Sequence, residues 1–312
     1  MPPASKSHPR ANTTKSSRRR PPASTGKPIE ILRALALAQQ PWLVHGFSTR
    51  QGGVSTCYRG KSLNLGVTQH DTKENVAHNR ALFLGALGAE NEDGSLWPLV
   101  QLKQIHSYVV QRVSAAPGET LSGDGLITTT PGLLLAIKTA DCVPVLVADV
   151  RRRAVGAFHA GWRGTVARVV EKGIGEMRRQ FGSVPRDLRA VIGPCIRRCC
   201  YEVGAEVRTE FESQFSYADE LFEEVFDAEA IHVRYPLLFL NQRAPGHGDL
   251  GTEIHLDLVE ANQRQLLDTG IREEHISVIE GCTACDITRF FSHRAEFGQT
   301  GRMMAVIGIR ED

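Results

Sequence analysis

The chain has 312 residues, of which 41% are hydrophobic and 23% are charged, a composition typical of a folded protein with a sizeable apolar core. No apolar run approaches the roughly 20 residues that a membrane-spanning helix needs, and the N-terminus lacks the short apolar segment of a secretory signal. Composition and charge therefore argue against membrane and secreted proteins, and they predict a cytoplasmic location.

The charge is unevenly distributed along the chain. Residues 1–28 contain seven lysines and arginines and no acid, whereas the remainder holds all 35 acidic residues. The first segment has almost no large apolar side chain, so burial cannot offset the entropy of ordering it. We predict a disordered basic tail over 1–28, although such a segment is also typical of an organellar transit peptide. Residues 29–312 form the predicted catalytic domain, whose mildly acidic charge does not favour binding to nucleic acid.

Hydrophobic periodicity predicts helices and strands that follow one another along the chain. In chain order they are helices over 31–39 and 75–87, strands over 133–137, 143–148 and 154–158, a helix over 166–181, a strand over 188–192, a helix over 257–267, and strands over 276–279 and 303–309. Residues 212–250 contain prolines and glycines and are predicted to be an insertion or long loop. The pattern predicts a single domain of mixed α and β structure.

Histidine and cysteine occur in three segments beside glycines or the ends of predicted strands. These segments are Gln104–Ser107, Thr139–Pro144 and Phe158–Gly164. Zinc prefers imidazole nitrogen and thiolate sulfur, and a catalytic zinc usually has three protein ligands and one open position. A lone histidine or cysteine is more often a packed core residue, so spacing alone makes this set only a candidate metal site.

A longer series of motifs extends over most of the chain in a fixed order. The motifs are His45–Ser55, Ser62–Gly66, Gln104–His106, Thr139–Pro144, His159–Gly164, Ile192–Ile196, Cys282-Thr283, Phe290–Arg294 and Thr300–Arg302. Each motif alone is weak, but the ordered series is specific. From about residue 45 to 309 the chain resembles the YfiH-like family, often described as multicopper polyphenol oxidoreductases or laccase-domain proteins.

The resemblance implies a fold, a metal and an activity. The implied fold is α+β, a single domain in which mixed β-sheets pack as a sandwich flanked by helices, related to the fold of a toxin glutamine deamidase. The implied cofactor is one Zn²⁺ ion bound by His106, Cys142 and His159. The implied reactions are phosphorolysis of adenosine and inosine, deamination of adenosine and cleavage of S-methyl-5′-thioadenosine. Purine nucleosides and inorganic phosphate are therefore the expected partners.

Copper fits the residues less well than zinc does. Multicopper oxidation needs a His₂Cys site with a weak axial ligand and, in addition, a cluster of several histidines. The chain has 11 histidines but no His-x-His pair. We therefore expect zinc rather than the copper of the family's older description.

Four residues are candidates for contact with substrate or for proton transfer. Asp141 could carry a proton during deamination or orient the metal ligands, although an Asp at a strand end is equally often a turn residue. Arg50, in a turn before two glycines, could form a forked contact with phosphate, or it could be a surface arginine. Asn64 and Arg163 are weaker candidates for ribose or phosphate, and Arg163 could equally stack on Trp162.

Two other functions are open. The first would use the candidate metal ligands as catalytic residues, and the second assigns them no role. In a cysteine hydrolase, Cys142 would be the nucleophile and His159 or His106 its base. The resemblance also admits a role in editing peptidoglycan precursors. Metal content distinguishes the first alternative from the zinc enzyme, and binding of nucleosides distinguishes the second.

The remaining cysteines have suggestive spacings. Seven cysteines without a signal peptide indicate a reducing compartment. Cys195, Cys199 and Cys200 could bind a second metal. Cys282 and Cys285 could form a redox pair. Spacing alone cannot assemble four thiolates from these segments, so we predict buried or loop thiols.

Overall fold

A computed structural model of the chain describes residues 28–226 and 252–311, so most of the predicted basic tail lies outside the described residues. The strands are β1 Ile31–Leu32, β2 Leu43–Ser48, β3 Leu99–Gln101, β4 Val110–Arg112, β5 Gly125–Thr128, β6 Leu134–Thr139, β7 Val143–Asp149, β8 Ala154–Ala160, β9 Leu188–Ile192, β10 Glu202–Val203, β11 Phe222–Phe226, β12 Thr252–Leu256, β13 Ile276–Val278 and β14 Met303–Ile309. The helices are α1 Leu35–Ala38, α2 Lys73–Leu87, α3 Trp162–Val166, α4 Val169–Phe181, α5 Ala205–Gln214 and α6 Leu258–Asp268. Within the described ranges, no helix has the length and apolar character needed to cross a membrane.

The strands form two large mixed sheets and one small sheet. The first large sheet has the order β1-β2-β14-β6-β3, and the second has the order β13-β9-β7-β8-β5-β4. A three-stranded sheet, β10-β12-β11, lies apart from them in the hydrogen-bonding pattern. In the second large sheet, β7 pairs antiparallel with both β8 and β9, so it is a central strand.

Alternation along β7 shows how the layers pack. Leu146 and Ala148 join a cluster with side chains of β6 and β14, which places one core between the two large sheets. Val145 and Val147 point to the opposite face and join a cluster with residues of α4 and α6. This period of two residues is the geometry of a strand that is buried on both faces.

Helix α2 covers the outer face of the first large sheet. Its residues Phe83, Leu84 and Leu87 pack in one cluster with Leu134 and Ala136 of β6. The helix begins at a Thr72 cap, whose hydroxyl accepts a hydrogen bond from Asn75 N at 3.1 Å. The molecule is therefore a β-sandwich flanked by helices on both sides, as the resemblance implied.

Several predicted elements are confirmed. The strands that begin at or near residues 133, 143, 154, 188, 276 and 303 are all present. The carboxylate of Asp257 caps α6 by accepting from Glu260 N at 3.0 Å, as the sequence indicated.

Two predicted helices differ from the observed elements. Residues 31–39 contain a strand and only one turn of helix, because Ile31 and Leu32 pair with β2. The helix predicted over 166–181 begins at Val169, after a break at Arg168, whose φ of 61° is left-handed. The Arg168 guanidinium bonds Glu171 at 2.7 Å and stacks on Phe215, contacts that offset the cost of this conformation.

The first part of the predicted loop over 212–250 is regular. It contains the end of α5, a 3₁₀ turn over Ala218–Leu221 and strand β11, which pairs antiparallel with β12. Buried Phe215 and Leu221 anchor this part to the core. Residues 227–251 lie outside the described residues.

His45 is a buried imidazole in the centre of β2. Its side chain belongs to a residue only 3% exposed, and its Nε2 accepts a hydrogen bond from Ala34 N at 3.2 Å. Burial, followed by the positive charge of Arg33, lowers the pKa of His45 to about 4. The folded protein therefore holds this imidazole neutral at pH values where the unfolded chain protonates it.

This difference predicts acid sensitivity. As the pH falls from 6.5 towards 4, the unfolded state binds a proton that the folded state excludes, so stability falls. Between pH 7 and pH 5 the loss attributable to His45 is roughly 2 kcal/mol. Urea unfolding should show that His45→Gln, which keeps an acceptor, lacks this loss. His78→Gln, at an exposed position, should retain it, and an unchanged pH dependence in His45→Gln would contradict the assignment.

Candidate metal centre

Strand register brings two of the candidate ligands together. In the β7–β8 pair, Val143 lies opposite Ala160 and Pro144 lies opposite His159. Cys142, immediately before β7, is therefore next to His159, which lies near the end of β8. His106 reaches the same point from the loop after β3.

The three ligand atoms lie close enough to share one ion. Cys142 Sγ is 3.9 Å from His106 Nε2, and the ligand atoms of His106, Cys142 and His159 are all within 4.8 Å of one another. One thiolate and two imidazoles match the borderline-soft preference of Zn²⁺. The structure thus assembles a group that could hold a metal ion.

A buried carboxylate, Asp124, organises this group. Its residue is 0% exposed, and Oδ1 lies 2.8 Å from Nδ1 of His159, which leaves Nε2 of that ring for a metal. The amides of Ile105, His106 and Ser107 also donate to it, at 3.2, 3.1 and 2.6 Å. Burial alone would raise the pKa of Asp124, but the hydrogen bonds from His159 and Ser107 outweigh it and lower the pKa to about 2.

Cys142 and His159 favour their charged forms. Burial opposes ionisation of both groups, but His159 and His106 lower the pKa of the Cys142 thiol below its ordinary value. Cys142 and then Asp124 raise the pKa of His159 in the same way. The thiolate is therefore available as a ligand, and an incoming metal has to displace the proton of His159.

Gly161 provides the space between the ligands. A Cβ atom built at this position would lie 2.9 Å from Cys142 Sγ and 3.0 Å from His106 Cδ2. Both distances are shorter than ordinary van der Waals contact. A side chain here would push apart the atoms that have to meet at the metal.

A cavity of about 540 Å³ opens beside the three ligands, a volume in the range of small-molecule sites. Its walls include four basic side chains, Lys103, Lys138, Arg294 and Arg302. Desolvation, and then the charges of Arg80 and Arg302, lower the pKa of Lys138, which indicates a positive potential there. Within the described part of the chain, the Lys138 ammonium has no hydrogen-bond partner.

Asp141 is the one predicted substrate or proton-transfer residue that lines the cavity. Its backbone is left-handed, with φ 94°. Its carboxylate accepts from Thr283 Oγ1 at 2.6 Å and from Arg294 N at 2.7 Å. Asp141 therefore ties the turn before Cys142 to two segments that are distant in sequence.

The structure places Arg50 away from the cavity wall. Its guanidinium donates to Ile287 O at 2.6 Å, Tyr58 O at 2.8 Å and Glu296 Oε1 at 3.0 Å. It also stacks on the ring of Phe291 at 4.5 Å. These contacts hold Arg50 in the fold between two loops.

Asn64 and Arg163 also lie outside the cavity lining. Asn64 is 0% exposed, and its Oδ1 accepts from Arg302 N at 2.9 Å, so it positions a residue that does line the cavity. Arg163 stacks on Trp162, with its guanidinium carbon 4.2 Å from the ring centroid. This stacking is the alternative to substrate contact that the sequence offers for Arg163.

Sequence reasoning missed Asp124 and the basic wall of the cavity. Asp124 lies in Ser122-Gly123-Asp124-Gly125, which has no signature beyond its glycines. Lys138 lies within an apolar strand, where a lysine is unusual, and this was an available signal. Arg302 belongs to a motif of the resemblance but to no predicted site.

Four cysteines form a second group, in which the free thiols predicted to be buried or in loops lie close together. The sulfur atoms of this four-cysteine cluster all lie within 4.8 Å of one another, and its members are Cys199, Cys200, Cys282 and Cys285. A turn after β9 and a turn after β13 bring them together, although about 80 residues separate the two pairs. None of the four lines the cavity.

Comparison with known proteins supports the resemblance. The family model described as multi-copper polyphenol oxidoreductase laccase matches residues 44–310. The purine nucleoside phosphorylase of Deinococcus radiodurans is 37% identical over 286 residues, covering 91% of this chain and 95% of that protein. Purine nucleoside phosphorylase YlmD of Bacillus subtilis is 32% identical, covering 92% and 99%. Adenosine deaminase RL5, from an unknown prokaryotic organism, is 32% identical, covering 87% and 96%.

Solved structures share the fold. YlmD from Geobacillus stearothermophilus matches with a TM-score of 0.72 and 31% identity, covering 93% of this chain and 98% of that one. The hypothetical protein YfiH from Bacillus licheniformis matches with a TM-score of 0.70 and 32% identity, covering 86% and 93%. The arrangement of sheets and helices described above is therefore shared with these proteins.

The space at Gly161 can be tested by adding one methyl group. Gly161→Ala should weaken metal binding by at least about tenfold, because its Cβ would crowd Cys142 Sγ, while the fold is retained. Competition with a chromophoric chelator measures the affinity, and circular dichroism checks the fold. Gly175→Ala on α4 is the matched control, since its Cβ would meet nothing within 4 Å. Equal affinities in the two variants would show that Gly161 does not limit the site.

Proposed function

The chain belongs to the family described as multi-copper polyphenol oxidoreductase laccase, and we propose that this member is a zinc-dependent purine nucleoside phosphorylase. The proposal includes deamination of adenosine and cleavage of S-methyl-5′-thioadenosine. One observation carries it: His106, Cys142 and His159 converge beside a cavity with a basic wall. The names of the similar proteins, purine nucleoside phosphorylase and adenosine deaminase, support the same chemistry.

The described residues fit a single zinc ion better than the several coppers of the family's description. Within residues 28–226 and 252–311, the metal-ligand groups of three or more are this His₂Cys set and an all-cysteine set. Neither is the cluster of several histidines that multicopper oxidation requires. When bound, zinc would act as a Lewis acid that polarises a water or substrate oxygen.

Phosphorolysis needs a site for an anion near the nucleoside. In this reaction a phosphate oxygen attacks C1′ of the ribose, the C1′–N bond breaks, and the purine leaves with a proton as ribose 1-phosphate forms. We assign the phosphate to Lys138 and Arg302, since both line the cavity and Lys138 lacks a partner among the described residues. The contacts of Arg50 support a role in positioning the 287–296 segment instead.

Deamination replaces the amino group at C6 of adenine by oxygen from water and releases ammonia. This reaction needs a group that carries a proton between the water and the leaving nitrogen. Asp141 is our candidate, because this residue lines the same cavity immediately before Cys142. Thr283 and Arg294 N hold the carboxylate in place but leave each oxygen a further lone pair.

A cysteine hydrolase is the second candidate, and one observation favours it. Asp124 orients His159 at 2.8 Å, and His159 in turn favours the thiolate of Cys142, an arrangement that resembles a Cys-His-Asp triad. In this candidate, Cys142 would form a covalent intermediate with substrate. The same contacts would serve metal binding, so the metal content has to decide between the two.

The deciding experiment combines metal analysis with product identification. Purified protein should contain zinc bound by His106, Cys142 and His159, and it should convert adenosine with phosphate to adenine and ribose 1-phosphate. Replacement of each ligand by alanine should remove that zinc and reduce turnover by at least about a hundredfold, while the fold is retained. Turnover of adenosine by metal-free protein without phosphate, abolished by alkylation of Cys142, would establish the cysteine hydrolase instead.

The phosphate assignment predicts a selective kinetic change. Lys138→Met should raise the KM for phosphate by roughly tenfold or more, because a charge-assisted hydrogen bond is worth about 1.5–3 kcal/mol. The KM for inosine should change much less. Lys73→Met, at an exposed position on α2, is the matched control. Equal changes in both constants would place Lys138 outside the phosphate site.

A further inference from the structure

The four-cysteine cluster lies outside the cavity and has no part in the proposed reactions. Cys199 and Cys200 come from a 3₁₀ turn over Arg198–Cys200, and Cys282 and Cys285 come from a turn after β13. A bridge between Cys195 and Cys282 joins the two segments, and Thr283 N donates to Cys195 O at 3.0 Å. The backbone therefore fixes both turns before any metal is considered.

The sulfur atoms have the spacing of a tetrahedral site. Cys285 Sγ lies 3.5 Å from Cys199 Sγ and 3.2 Å from Cys200 Sγ, and these last two are 3.7 Å apart. A zinc ion with bonds of about 2.3 Å to sulfur holds its thiolates about 3.8 Å apart. A disulfide would instead need about 2.05 Å. These three distances are slightly shorter than those around a bound zinc ion, and Cys282 Sγ lies within 4.8 Å of the other three sulfur atoms.

The surroundings suit a charged metal–thiolate centre. The amide of Arg197 donates to Cys282 Sγ at 3.4 Å, which is the type of contact that stabilises a metal-bound thiolate. Cys199 and Cys285 are exposed, so an ion can enter from solvent.

From these observations we propose that the four-cysteine cluster binds a second zinc ion with a structural role. All four positions around the ion are occupied by thiolates, which is the pattern of a closed structural site rather than a catalytic one. A multinuclear iron–sulfur cluster would separate the thiolates further, because bridging sulfides and several irons lie between them.

A zinc ion in the four-cysteine cluster would stabilise one wall of the cavity beside the candidate metal centre. Tyr201 directly follows the first turn, and Thr283 in the second turn donates to Asp141 at 2.6 Å. Arg294 connects the two sides, because its guanidinium donates to Glu202 O at 2.8 Å and its amide donates to Asp141. A structural zinc would therefore fix residues that line the cavity without touching substrate.

Metal stoichiometry tests the proposal independently of activity. The purified full chain should contain about two zinc ions, and the Cys199→Ser/Cys285→Ser double variant should contain about one. Cys57→Ser, at an exposed cysteine outside both groups, is the matched control and should keep both ions. The same zinc content in the double variant as in the wild-type chain, or a disulfide within the cluster, would overturn the proposal.

Cobalt substitution supplies a readout that needs no change to the cluster. In Cys142→Ser the first centre has no thiolate, so intense sulfur-to-cobalt charge-transfer bands can arise only from the four-cysteine cluster. We expect these bands in Cys142→Ser and their loss when Cys199 and Cys285 are also replaced by serine. Their absence from Cys142→Ser would exclude a thiolate metal site in the cluster. Failure of phosphorolysis with both metals bound would refute the proposed function alone.

Discussion

The hydrogen bond between Asp124 and His159 is the interaction on which the candidate metal centre depends. It fixes the orientation of the imidazole, and the same carboxylate gathers the amides that shape the loop of His106. A buried, ionised carboxylate is costly unless its partners are in place, and removing one partner of such a pair costs about 3–5 kcal/mol. Asp124 therefore couples the conformation of the His106 loop to the position of His159 on β8.

The sandwich gives this interaction its rigidity. β7 and β8 are buried on both faces, so a one-residue shift in register would move their side chains into the opposite core, where the packing does not match them. That register places Cys142 beside His159 and sets Asp124 opposite the end of β8. Helices on both outer faces leave the strand ends accessible, and the ligands and the cavity lie there.

Periodicity was sufficient to predict the central strands, α2, α4 and α6, because their patterns are long and their caps are local. It was insufficient for Ile31 and Leu32, whose pairing with β2 is a tertiary contact, and for the break at Arg168. The three candidate ligands came from a resemblance and not from spacing. Asp124 and the four-cysteine cluster could not be predicted, since their partners are distant in sequence and only strand pairing brings them together.

The candidate ligands His106, Cys142 and His159 come from three segments that meet only in the native sandwich. An unfolded chain therefore offers a metal ion no comparable site, so metal binding would stabilise the folded state relative to the unfolded state. The apparent stability of this protein would then vary with the logarithm of the free metal concentration. In a compartment that buffers zinc tightly, metal supply would set the lifetime of the folded chain as well as its chemistry.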